Sequence, residues 1–205
     1  MRPVRYLALG DSYTIGEGID ADGRWPVQLA RALRAGGVAL DDPDIIAATG
    51  WTTDELSAAI DVAQPPAGFA LVSLLVGVNN QYRGRDVAEY GAQFEALLAR
   101  ATALAGDRPG RVLVLSIPDW GVTPFAIASG RDRDRIAREL DAFNAAAQTA
   151  CAAHGIAFVD ITAASRAHGA EPAMLADDGL HPSATMYAQW TRLALPVARR
   201  LLSPP

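Results

Sequence analysis

Five apolar runs, at residues 4–9, 44–49, 69–76, 112–117 and 156–160, are spaced along a chain of 205 residues. Most are continuous rather than alternating, the pattern of strands covered on both faces and so of a mainly parallel sheet. Between them lie longer stretches with helical spacing. Residues 25–35 place Trp25, Leu29, Ala32 and Leu33 on one face, and residues 86–105 do the same with Val87, Tyr90, Phe94, Leu97, Leu98 and Leu104. Residues 132–154 and 183–202 complete the set, and Thr52 with Glu55 reads as a capping box that starts a helix after the second run. Such an alternation is expected to fold as an α/β sandwich with right-handed crossovers. With 50% of residues hydrophobic there is enough for a sizeable core. No repeat, low-complexity tract or linker interrupts the chain. The expectation is a three-layer α/β/α architecture in one domain over residues 1–205, with 203–205 as a tail.

In an open parallel sheet, ligands bind beyond the carboxyl ends of the strands, and every unusual residue falls at such an end. Gly10-Asp11-Ser12 follows the first run, Gly50-Trp51 the second, Gly77-Val78-Asn79-Asn80 the third and Pro118-Asp119-Trp120-Gly121 the fourth. Asp178-Gly179-Leu180-His181 follows the fifth after a short irregular stretch. A serine hydroxyl is a poor nucleophile until a base takes its proton, and the base needs a third group to hold its tautomer. Ser12 is the candidate nucleophile; His181 and Asp178 are the candidate base and orienter. Taken singly, each element has a plainer reading: a turn and helix cap at 10–12, a loop glycine at 50, a backbone-satisfying side chain at Asn79, a surface histidine at 181. Five loops converging on one edge favour the chemical reading.

The blocks Gly10-Asp11-Ser12, Gly50, Gly77-x-Asn79 and Asp178-x-x-His181 together resemble the SGNH (GDSL-type) esterases and lipases over nearly the full length. The resemblance implies a flavodoxin-like sheet of order 2-1-3-4-5. It also implies Ser12 as nucleophile, His181 as base, Asp178 as orienter, and an oxyanion hole from the Ser12 and Gly50 N–H groups and the Asn79 amide. Fixed neutral donors of this kind suit a developing carbonyl oxyanion. One position departs: where the family usually has Gly-x-Asn-Asp, this chain has Asn80, which leaves open how the Asn79 loop is held. The Gly-x-Ser-x-Gly elbow of the α/β-hydrolase fold is absent.

The expected reaction is hydrolysis of a small-molecule carboxylic ester, short to medium in its acyl or aryl part, through an acyl-enzyme. Carbohydrate O-deacetylation, thioester hydrolysis and a catalytically dead binding module are the alternatives. Trp51, Trp120 and Phe125 either pack ordinarily or line the acyl or aryl pocket. Cys151 and Trp190 sit on apolar stripes and are expected in the core, His154 at a helix C-terminus and His168 in a solvated polar loop. No His/Cys/Asp/Glu set has metal-ligand spacing, so neither metal nor cofactor is expected. All 18 basic residues are arginine, which excludes a lysine nucleophile, and a net charge of −5 argues against nucleic acid as partner. The start of the chain carries no signal-peptide core and no run approaches the ~18 apolar residues of a membrane span. A complete chain would be soluble and cytoplasmic; its oligomeric state is not legible.

Overall fold

The computed structural model describes residues 4–203; Met1–Pro3 and the last two residues of the expected tail lie outside them. In chain order the elements are β1 (Tyr6–Gly10), α1 (Ser12–Ile15), α2 (Trp25–Ala35), β2 (Asp44–Ala47), α3 (Thr53–Ala63), β3 (Leu71–Leu75), α4 (Val78–Tyr82) and α5 (Val87–Leu104). Then come β4 (Val112–Leu115), α6 (Pro124–Ala128), α7 (Arg133–Ala153), β5 (Ala157–Val159), α8 (Thr162–His168) and α9 (Ala184–Leu202). All strand pairs are parallel and the order is β2-β1-β3-β4-β5. Helices α2 and α9 pack together on one face, and α3, α5 and α7 on the other.

The sequence pattern maps onto this directly. β1, β3 and β4 are buried at every residue. The edge strand β2 begins exposed at Asp44, whose carboxylate pairs with Arg5 at 3.0 Å. The long helices begin where caps predict: Asp86, Asp132 and Ser183 each accept a backbone N–H of the first turn of α5, α7 and α9. Trp25, Leu29, Leu33, Cys151 and Trp190 are in the core, as their stripes predict.

Register decides where the site can form. Gly10 pairs with Ala47 on one side and with Leu75 on the other. The loops leaving β1, β2 and β3 therefore depart at one level of the sheet, side by side. One expectation fails here. The stretch after β5 begins with a helix, α8, and His168 is its last residue and not part of a loop; its side chain is partly exposed, as expected, with Nδ1 2.8 Å from Glu171 Oε1. The helix's Ala/Ser composition offers no apolar stripe to read. Its start is held by one local and one tertiary contact instead, as Asp160 and the remote Ser116 both accept the Thr162 N–H.

Candidate active site

Ser12 is the first residue of α1, a single turn capped by Asp11, whose Oδ1 accepts the Tyr13 N–H at 3.0 Å. The plain reading of Gly10-Asp11-Ser12 as a helix cap is thus true, and the cap fixes how the serine is presented. At a helix start the backbone N–H has no intrahelical acceptor, and among the described residues the Ser12 N–H donates to none. Asp11 is fully buried and its Oδ2 has no hydrogen-bond partner among the described residues. Burial pushes its carboxyl up to about 7.

The loops after β2 and β3 are stitched together. Gly50 has φ 85°, and a Cβ there would meet nothing nearer than Arg83 Nη2 at 3.8 Å, so the glycine answers a conformational demand and not a spatial one. Arg83, just beyond α4, donates to the Gly50 carbonyl at 2.6 Å and pairs with Glu55 at 3.3 Å. Asn79 Nδ2 donates to the Trp51 carbonyl at 3.0 Å, which orients the amide and leaves its second N–H without an acceptor among the described residues. Asn80, fully buried, accepts the Thr53 N–H at 3.1 Å and donates to the Thr53 hydroxyl at 2.7 Å; that hydroxyl in turn donates to Gln93. Three residues of α4 and its end, Asn79, Asn80 and Arg83, therefore hold the Gly50 loop and the start of α3.

On the other side, His181 Nδ1 lies 2.5 Å from Asp178 Oδ2, while Asp178 Oδ1 accepts the backbone N–H groups of Leu180 and His181, each at 2.9 Å. Burial pushes the Asp178 carboxyl up, but the bonds from the His181 ring and the two N–H groups outweigh it and hold the group below the usual carboxylate range. Asp177 is exposed and its side chain makes no hydrogen bond among the described residues. Tyr13 packs on the histidine, ring centroids 5.8 Å apart.

Ser12, Gly50, Asn79 and His181 meet along one cavity of about 200 Å³, with Val78, Tyr82, Trp120, Phe125 and Leu180 as its apolar wall. Of the three aromatic residues singled out from the sequence, Trp120 and Phe125 line it. Trp51 does not; it is half-buried against the core and contributes its backbone carbonyl to Asn79. Val78, Tyr82 and Leu180 complete the wall; each is apolar or aromatic and lies within or beside the Gly77–Asn80 or Asp178–His181 segment, the one signal that could have found them. Trp120 is fixed by its indole N–H, which donates to Gln81 at 2.8 Å. His154 closes α7, 3.7 Å from Glu95, and burial pushes the Cys151 thiol up to about 12. Among the described residues no group of three or more His, Cys, Asp or Glu side chains is placed to hold a metal, and no helix is long and apolar enough to cross a membrane.

The sheet order and the residues at its carboxyl edge define a hydrolase of the SGNH type. The chain belongs to the GDSL-like lipase/acylhydrolase family, whose model matches residues 8–189. No curated protein matches it. Among solved structures, TesA superposes with a TM-score of 0.76 at 20% identity, covering 97% of this chain and 99% of that one. A lipolytic protein of the G-D-S-L family from Veillonella parvula gives 0.71 at 18% identity, over 96% and 98% of the two chains. Axe2, an acetylxylan esterase from Geobacillus stearothermophilus, gives 0.70 at 21%, over 96% and 94%. These likenesses are of fold; the family makes the activity that of an esterase or acylhydrolase.

Proposed function

We propose that the protein is a serine esterase acting on carboxylic esters with short acyl groups through an acyl-enzyme. Ser12 Oγ attacks the ester carbonyl as His181 Nε2 takes its proton, and the resulting oxyanion is met by the N–H groups of Ser12 and Gly50 and the free amide N–H of Asn79. Collapse expels the alcohol, which receives the proton from His181; water, deprotonated by the same nitrogen, then releases the acid. Asp178 holds Nδ1 and so directs Nε2 into the cavity, and its carboxylate stabilises the transient imidazolium. The observation that carries this reading is the His181–Asp178 bond on a ring that lines the same cavity as Ser12 and three N–H donors without an acceptor among the described residues. At about 200 Å³ the cavity falls below the ~300–1,000 Å³ usual for drug-sized ligands, which also favours removal of an acetyl group from a carbohydrate as a second reading.

The test is a fluorophosphonate probe with p-nitrophenyl acetate as substrate. The wild type should gain one probe mass on the peptide containing Ser12 and hydrolyse the ester, whereas folded Ser12→Ala should do neither. Near-normal turnover in purified Ser12→Ala would overturn the assignment, and an unlabelled, inert wild type would mark a binding module. Acetylated sugars against p-nitrophenyl butyrate then separate the two readings.

A further inference from the structure

Beside the cavity at Ser12 lies a second, smaller space of about 20 Å³ that shares part of its wall with the first. Tyr13, Trp120 and Leu180 line both spaces and are therefore the partition between them. They are not equally fixed. Tyr13 is buried between His181 and Trp190, with ring centroids 5.8 and 6.0 Å away. Trp120 is tied through Gln81, whose amide donates onward to Glu139 at 2.7 Å. The Leu180 side chain has no polar tie. Its backbone N–H serves Asp178, and trimming the side chain leaves that bond untouched.

The far space is apolar in character. Met174, Leu175, Pro182, Met186 and Trp190 face it; the Trp190 indole N–H has no partner among the described residues, but the Asp119, Thr123 and Ser165 side chains on its wall are engaged. The Asp119 carboxylate is held by Arg166 at 2.8 Å, and the hydroxyls of Thr123 and Ser165 donate to the carbonyls of Trp120 and Thr162. Methionine side chains are unbranched and repack easily, so Met174 and Met186 form a wall that can yield.

We propose that Leu180 sets the acyl-chain length: its isobutyl group ends the acyl pocket, and the chamber behind it is a latent extension for straight-chain fatty acyl groups. This rests on the serine-esterase reading with the acyl group directed toward Trp120 and Leu180. The experiment measures kcat/KM for p-nitrophenyl acetate, butyrate, hexanoate and octanoate with wild type, Leu180→Ala and Leu180→Phe, alongside a series of alkyl acetates that varies only the alcohol. Leu180→Ala should raise the octanoate-to-acetate ratio by about tenfold or more, since a few methylenes admitted to an apolar pocket count for at least that much. Leu180→Phe, which enlarges the partition without opening a void, should lower the butyrate-to-acetate ratio. Unchanged acyl ratios in both variants, or a shift in alcohol preference instead, would overturn the proposal. Fluorophosphonate labelling of Ser12 keeps the two levels apart: labelled, active variants with unmoved ratios sink the gate alone, whereas no labelling and no hydrolysis in the wild type sinks the esterase reading with it.

Discussion

Two aspartates stand side by side at 177 and 178, and only the second touches the histidine. Negative charge suits the approach to a helix start, so composition gives no reason to separate them; the turn does. A residue three before His181 can fold back onto its Nδ1, while its neighbour points to solvent. Asp178→Asn should therefore cut kcat by up to about 10⁴-fold through the wrong imidazole tautomer, and Asp177→Asn by less than about tenfold. Rates of both variants at pH 8 decide it, and greater damage from Asp177→Asn would mean that the orienter has been misassigned. At this scale residue type and spacing single out Ser12, Asn79 and His181, and the structure brings all three to one cavity. The sequence was silent wherever the role depends on a partner remote in the chain. Asn80 is the clearest case: its value lies in Thr53, 27 residues earlier, and no local pattern announces that pair. Trp51 shows the opposite failure, a conspicuous side chain whose contribution is its backbone oxygen.

Among elements, the long helices were legible because their apolar stripes and caps agree: residues 25–35 were bounded from the pattern alone, and Asp86, Asp132 and Ser183 marked three starts. The single-turn helices α1, α4 and α6 were not. Four or five residues carry no periodicity, and a nucleus that short is unfavourable without tertiary support. These are the pieces that carry Ser12, Asn79 and Phe125, so the least legible elements hold the site. Their rigidity is borrowed, as the contact between α4 and the β2–α3 loop illustrates. Arg83 holds the Gly50 carbonyl, and on the proposed mechanism it is a positioning residue that aims the Gly50 N–H. Arg83→Ala should lower kcat about tenfold with KM changed less than about twofold. Because Arg83 is partly exposed and its ion pair with Glu55 stabilises little, Tm should move by only about 2 °C. An unchanged kcat, or a loss confined to KM, would show that the clamp does not aim a donor.

For the whole molecule, the parallel order followed from alternation, while the particular order 2-1-3-4-5 came with the family resemblance; apolar runs alone do not say which strands are neighbours. Stability as a function of pH is a property at this scale, and Asp11 shapes it. Its carboxyl titrates near an ordinary 3.8 when unfolded and about 7 when folded. Below 3.8 it is protonated in both states and contributes no penalty. Between 3.8 and 7 the unfolded chain gives up a proton that the native state retains, so stability falls as pH rises, and above 7 the loss is complete at up to roughly 4 kcal/mol. Asp11→Asn removes this dependence while keeping an oxygen for the Tyr13 N–H. The difference in Tm between variant and wild type should therefore be about 5–10 °C more favourable at pH 8 than at pH 5; an equal difference at both values would show that Asp11 is not a buried titrating acid. Asp11 also begins a feature with a consequence for biosynthesis. It presents Ser12 from the first strand, whereas His181 arrives just before the last helix. At typical elongation rates of about 5–20 residues per second, roughly ten to thirty seconds separate the two on the ribosome. Throughout that interval the nascent chain carries a serine with no base, so a message broken or a ribosome stalled anywhere before the histidine codon yields a polypeptide that lacks the candidate base.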